Sequence, residues 1–143
     1  MNKERNDRGF TLAELLIVVA IIGVLVAVSI PIFTSQLDKA RLATDLANER
    51  AAKAAAMAYY YNNDPILPTN SRGWAAFTYD ADNGAIYYRT GANSADARVT
   101  KGYNKSGDHT GFDPGTAVVV VRLQYTGSGS LAVKNTWAPV KKQ

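Results

Sequence analysis

The chain has 143 residues, no cysteine, one histidine and a formal net charge of +4. Without cysteine there is no disulfide framework, no thiolate metal site and no cysteine nucleophile, and a lone imidazole excludes any site that needs two. Charges of both signs are interspersed with no long basic run, so nucleic acid is not indicated as a partner by charge alone.

The chain opens on a short polar leader, residues 1–9, in which Lys3, Arg5 and Arg8 outweigh Glu4 and Asp7. From Leu15 to Leu37 no charged residue occurs, and the strongly apolar part ends at Phe33. As a helix, Leu15 to Phe33 spans roughly 28 Å, close to the hydrocarbon thickness of a bilayer. Basic charge ahead of a first apolar helix favours retention of that end in the cytoplasm, so the remainder is expected to face outward. Three readings fit an exported chain of this kind. A secretory signal would be cut near Ala27-Val28-Ser29, leaving a start at Ile30, and an uncleaved anchor would need no cut at all. The third reading rests on the residues in front of the apolar run.

Among these Glu14 is out of place. A carboxylate at membrane depth costs roughly 2.5 to 3.5 kcal/mol or more unless it is paired. It either rests among headgroups with no role, or meets a partner. Removal of the leader before Phe10 would supply one: a new α-ammonium about a helical turn away, able to neutralise the Glu14 of a neighbouring chain inside a bundle.

Gly9-Phe10-Thr11-Leu12-Ala13-Glu14, behind a basic leader and ahead of an apolar helix, resembles the processing signal of type IV pilins and pseudopilins. The resemblance covers residues 1 to about 37. It implies a prepilin peptidase that cuts after Gly9, N-methylation of Phe10, Glu14 as the assembly carboxylate and Pro31 as the helix kink. It also implies a structural subunit and not an enzyme, with no cofactor and no metal. The implied partners are the peptidase, further copies in a homo-oligomeric filament, the pilus assembly machinery and, before assembly, membrane lipid. A chain without cysteine cannot close the C-terminal disulfide loop that many such subunits carry.

Proline removes a helix hydrogen bond and crowds the preceding turn, so a bend or local melting is expected between Ala27 and Pro31. Beyond it the helical pattern continues to Tyr61 and stops at Asn62-Asn63-Asp64-Pro65, which predicts one helix from about Thr11 to Tyr61. On its outer half, Leu37, Ala40, Ala43, Thr44, Ala47, Ala51, Ala54, Ala58 and Tyr61 fall on one side, a mostly small-residue stripe expected to face a sheet. Asp38, Arg41, Asp45, Glu49 and Lys53 are expected to face solvent, with Leu42, Leu46 and Met57 partly exposed on the flank.

The rest reads as a small β-rich head. Strands are expected at Ala85–Thr90, after a turn at Asp80–Gly84, at Ala117–Tyr125 and at Leu131–Trp137. Val118–Val121 is apolar without alternation, as in a central strand covered on both faces. Residues 91–115, rich in Gly, Asn, Ser and Asp, read as loops with at most a short strand near Val99–Tyr103. The expected class is α+β: a long helix whose C-terminal half packs on a small antiparallel sheet. The division is leader 1–9, transmembrane and assembly helix 10–33, amphipathic continuation 34–62 and head 63–143.

Other constellations point less clearly to chemistry. Asp80, Asp82 and Asn83 before Gly84 form an incomplete calcium-loop pattern that reads more simply as a turn. Asp108, His109 and Asp113 lack a serine at a nucleophile turn, and His109 reads as a solvated loop residue. Tyr59, Tyr60 and Tyr61 are expected to divide between core and surface.

The sequence therefore leads to an extracellular filament subunit stored in the cytoplasmic membrane, N-terminus inside. A pseudopilin of a secretion or competence system is the alternative, and a signal-anchored binding module a more distant one.

Overall fold

The computed structural model describes residues 9–63, 74–90, 95–126 and 130–140. The chain divides into two compact units, Met1–Asp38 and Lys39–Gln143. Helix α1, Leu12–Asn63, supplies the described part of the first unit beyond its entry and opens the second. Its ends fall within two residues of the expected ones; Asp64 and Pro65 lie outside the described residues.

In the first unit, every large apolar side chain from Phe10 to Phe33 is exposed. The helix is long and apolar enough to cross a membrane. It is unbroken from Ala27 through Pro31, so the local melting expected there does not occur. Beside the proline, Ser29 Oγ donates to Leu25 O at 2.7 Å and Thr34 Oγ1 to Ile30 O at 3.0 Å. Such back-bonding keeps hydroxyls satisfied where water is absent.

The second unit holds one antiparallel sheet of four strands: β1 (Ala75–Asp80), β2 (Ala85–Thr90), β3 (Ala117–Tyr125) and β4 (Leu131–Pro139), in the order β2-β1-β3-β4. The sequence reading placed β2 and β3 at the same residues, began β4 at the same residue and omitted β1. Val118 to Val121 are fully buried, as befits a strand flanked on both edges and covered on both faces. Among the described residues between β2 and β3 the chain forms only the short helix α2 (Gly107–Thr110), with no strand at Val99–Tyr103. Val99 and Tyr103 are nonetheless buried in the core.

The face of α1 that meets the sheet differs from the expected one. Ala40, Ala43, Thr44, Ala47, Ala54, Ala58 and Tyr61 are exposed, whereas Asp45, Ala52 and Ala56 are buried. With the half-buried Glu49 and Tyr59 they follow a 45, 49, 52, 56, 59 spacing, one side of a helix. Tyr59 completes it, its ring 5.7 Å from Phe77 and 6.0 Å from Tyr88. Tyr60 is half-buried and Tyr61 exposed. The alanine stripe failed as a guide because two carboxylates on the other side are bonded to the head, which outweighs their cost of burial.

The long loop before β3 is tied down by close approach. A Cβ on Gly102 would stand 2.4 Å from Ala117 N and 2.5 Å from Thr116 C, a clash with backbone that cannot move aside. Asn104, fully buried, accepts from Thr116 N and Ala117 N and donates towards Thr110 Oγ1, Phe112 O and Asp113 O. Tyr103 Oη accepts from Val119 N and donates to Tyr79 O, both at 2.9 Å, at the end of the β1–β3 ladder. Burial pushes this phenol far above its ordinary range, so it acts as a neutral donor. Gly102→Ala is expected to destabilise the head by about 2 kcal/mol or more, the usual range for a backbone clash in a packed site. Chemical denaturation of the variant checks this, and an unchanged midpoint would show that the loop yields.

Candidate functional site

The segment expected to be processed lies at the entry to α1. Gly9 and Phe10 precede the first helical residue and are exposed, Phe10 by 83%. Nothing stands within 4 Å of a Cβ built on Gly9. The Gly9–Phe10 peptide bond is therefore in non-helical, accessible chain, the form an endopeptidase requires of a bond it must draw into its own site.

Thr11 is the residue before the helix and Glu14 its third residue. Thr11 N and Thr11 Oγ1 both donate to Glu14 Oε2 at 2.8 Å, and Glu14 N donates to Thr11 Oγ1 at 3.3 Å. This reciprocal arrangement is a capping box, which satisfies helix-start donors that have no partner along the helix. The sequence reading did not include it, although Thr-x-x-Glu is its signature. Both contacts fall on Oε2, so Oε1 keeps its acceptor capacity for a cation. The cap also orients the carboxylate towards the start of the helix. Pro31 lies 17 positions further along the same exposed apolar helix.

A second polar cluster joins α1 to the head within the second unit. Asp45, fully buried, accepts from Lys105 N at 2.7 Å and Ser106 N at 2.6 Å. One turn on, Glu49 accepts from Trp137 Nε1 at 2.8 Å, Asn135 Nδ2 at 2.7 Å and His109 Nε2 at 2.9 Å. Burial pushes the Glu49 carboxyl up, but the three hydrogen bonds and the His109 charge together outweigh it and hold the group below the usual carboxylate range. These residues were expected in solvent and are in fact the polar half of the joint.

The weaker constellations also resolve. His109 is exposed, as expected, but sits in α2 and not in a loop, with its ring hydrogen-bonded to Glu49. Ser106 Oγ meets the backbone N–H of His109 and not its ring, so no nucleophile and base are paired there. At the β1–β2 turn Asp80 Oδ1 and Asn83 Oδ1 accept from Asp82 N and Ala85 N, the side-chain pattern of a turn. Among the described residues no group of three or more His, Cys, Asp or Glu is placed to hold a metal.

Comparison with known proteins extends this reading. Residues 5–30 match the family described as a prokaryotic N-terminal methylation motif. The chain is similar to the type IV major pilin protein PilE1 of Neisseria gonorrhoeae, 32% identical over 87 residues, which cover 61% of this chain and 41% of that one. It is similar to a fimbrial protein of Neisseria meningitidis serogroup A, 33% identical over 74 residues (52% and 44%), and to the fimbrial protein EcpC of Eikenella corrodens, 31% identical over 65 residues (46% and 42%). The matched segment thus spans about two fifths of the length of these curated relatives. No solved structure matches the chain. The chain thus carries a prokaryotic N-terminal methylation motif and is similar to type IV pilin and fimbrial proteins over about two fifths of their length.

Proposed function

We propose that this pilin-like structural subunit is matured by a prepilin peptidase between Gly9 and Phe10, N-methylated on Phe10, and assembled through its N-terminal helix into an extracellular filament. The single observation that carries the reading is the exposed apolar surface from Phe10 to Phe33, most of it within the methylation motif. An isolated soluble chain rarely leaves so large an apolar surface uncovered. Lipid covers it before assembly and neighbouring copies of the same helix cover it afterwards.

In the membrane the leader stays on the cytoplasmic side, held by Lys3, Arg5 and Arg8. After the cut, the Phe10 ammonium of one subunit meets Glu14 of another. Desolvation penalises either charge alone and favours the pair, so the contact sets the axial register of one subunit against the next. Pro31 lacks the N–H that would bond Ala27 O and lets the helix bend there as the filament packs. The head provides the outer surface, and the chain performs no catalysis of its own.

Intact mass and N-terminal sequencing of the protein recovered from cells test the first step. The expected mature chain begins at N-methylated Phe10. A start at Ile30 or an intact Met1 would remove both the processing and the role assigned to Glu14.

A further inference from the structure

The turn between β1 and β2 holds the one Asn-Gly pair in the sequence, Asn83-Gly84, and neither processing nor assembly accounts for it. The backbone nitrogen that follows an asparagine can attack the side-chain amide when the two groups are held together, the N–H is open to base and no side chain shields it. Asn83 Oδ1 accepts from Ala85 N at 2.9 Å. That bond folds the side chain back along the chain and holds Cγ beside the Gly84 peptide group that it spans. The same donor polarises the amide carbonyl and stabilises the oxyanion that attack at Cγ creates.

Gly84 N makes no hydrogen bond among the described residues. Asp82, Asn83 and Gly84 are exposed, so base and water reach the pair. Nothing stands within 4 Å of a Cβ built on Gly84, and its φ of 69° is a left-handed conformation that glycine takes without strain. The turn therefore demands glycine at the position where the reaction also demands it. Two other asparagines of the head are held quite differently. Asn104 is fully buried with both ends of its amide bonded, and Asn135 donates to Glu49. Lysine and threonine follow them.

From this geometry we propose that Asn83 is a modification site, at which the folded head deamidates without an enzyme. Hydroxide takes the proton of Gly84 N, and the nitrogen forms a bond to Asn83 Cγ. The Cγ–Nδ2 bond breaks and Nδ2 leaves as ammonia with a proton from water, which regenerates hydroxide and leaves a cyclic imide. Water then opens the imide. Addition at Cγ restores the main chain and gives aspartate; addition at the main-chain carbonyl carbon gives isoaspartate, with the chain running through Cγ. Either product places a new carboxylate beside Asp80 and Asp82 and lowers the net charge by one unit. Lys101 Nζ, 3.1 Å from Asp82 Oδ2, is the cation at hand to meet it. Isoaspartate also lengthens the backbone of the turn that sets Asp80 opposite Ala85. The site lies wholly in the head and does not rest on the assembly reading.

The test is incubation of the full-length protein in detergent at about pH 6 and about pH 9, followed by peptide mapping that separates asparagine, aspartate and isoaspartate forms. Asn83 is expected to convert about tenfold or more faster at the higher pH, and about tenfold or more faster than Asn104 and Asn135. Its rate in the folded protein is expected to fall no more than about tenfold below that in guanidinium chloride. Asn83→Gln lengthens the side chain and spoils the ring closure, so loss of its amide is expected to be about tenfold or more slower. The position is exposed in a turn, so this variant folds, and an unchanged melting curve confirms it. A larger protection in the folded state shows that the turn shields the pair and overturns the proposal. Equal rates at the two pH values, at the three asparagines, or in Asn83→Gln overturn it as well.

Discussion

Glu14→Gln is expected to insert and be processed as the wild type does, and to reduce filament yield about tenfold or more. The substitution separates two roles that Glu14→Ala would merge. A glutamine at this position still reaches back to Thr11 N, because a capping box accepts Glu or Gln. It cannot neutralise an ammonium. Removing one partner of a buried charge pair costs about 3 to 5 kcal/mol, because the other charge is left uncompensated. Repeated at every subunit contact, that loss disfavours growth strongly. Insertion becomes easier, since the neutral amide is cheaper to place in lipid than a carboxylate. Thr11→Val is the complementary variant: it loses the hydroxyl contacts at 2.8 and 3.3 Å and keeps the charge. A lost N-cap costs about 1 kcal/mol, so its yield should lie near wild type. Filament recovery from sheared cells, normalised to processed subunit, measures both. Wild-type yield from Glu14→Gln would sink the charge-pair role and leave the cap as the reason for a glutamate at this position.

The features legible in the sequence were those set by local composition. The apolar run, the proline and the Gly-Phe-Thr signal lie within 25 residues, and β3 was legible because four consecutive valines suit nothing better than a strand covered on both faces. β1 was missed although Phe77 and Tyr79 alternate with Thr78 and Asp80, because its paired alanines are poor strand formers and its partners are supplied from elsewhere. The docking face of α1 was misread for a related reason. A helical wheel places carboxylates in water by default, and only the folded head shows that Asp45 meets two backbone N–H groups 60 and 61 positions later. Trp137 and Asn135 reach Glu49 from 88 and 86 positions away. No local pattern encodes such pairings. Thr11 and Glu14, by contrast, were legible as a cap and were overlooked because the cost of a carboxylate in lipid dominated the reading of that residue.

Glu49→Ala is expected to destabilise the head by about 2 to 4 kcal/mol, through loss of the acceptor that serves three donors from β4 and α2. Each buried donor left unpaired costs about 1 to 3 kcal/mol, and Trp137 Nε1, on a nearly buried ring, has no ready access to water. For a domain of this size the loss lowers the melting temperature by about 10 °C or more. Glu49→Gln keeps one amide oxygen for Trp137 and His109, while the Asn135 amide can rotate to accept from the new NH2. Its loss at neutral pH is therefore smaller than that of the alanine variant. The two differ from wild type most clearly in pH dependence. The folded-state carboxyl titrates below its ordinary value, so its contribution to stability is fully present above the unfolded-state value near 4.3 and is lost as pH falls through the lower folded-state value. Protonation then places an O–H among donors that need an acceptor. Melting curves of the full chain in detergent between pH 7 and pH 3, followed by tryptophan fluorescence, should show the wild type losing stability faster than Glu49→Gln below about pH 4.5. Parallel curves for the two proteins would show that Glu49 titrates alike in the folded and unfolded states, and that the joint between α1 and the head rests on Asp45 and the apolar contacts of Ala52, Ala56 and Tyr59.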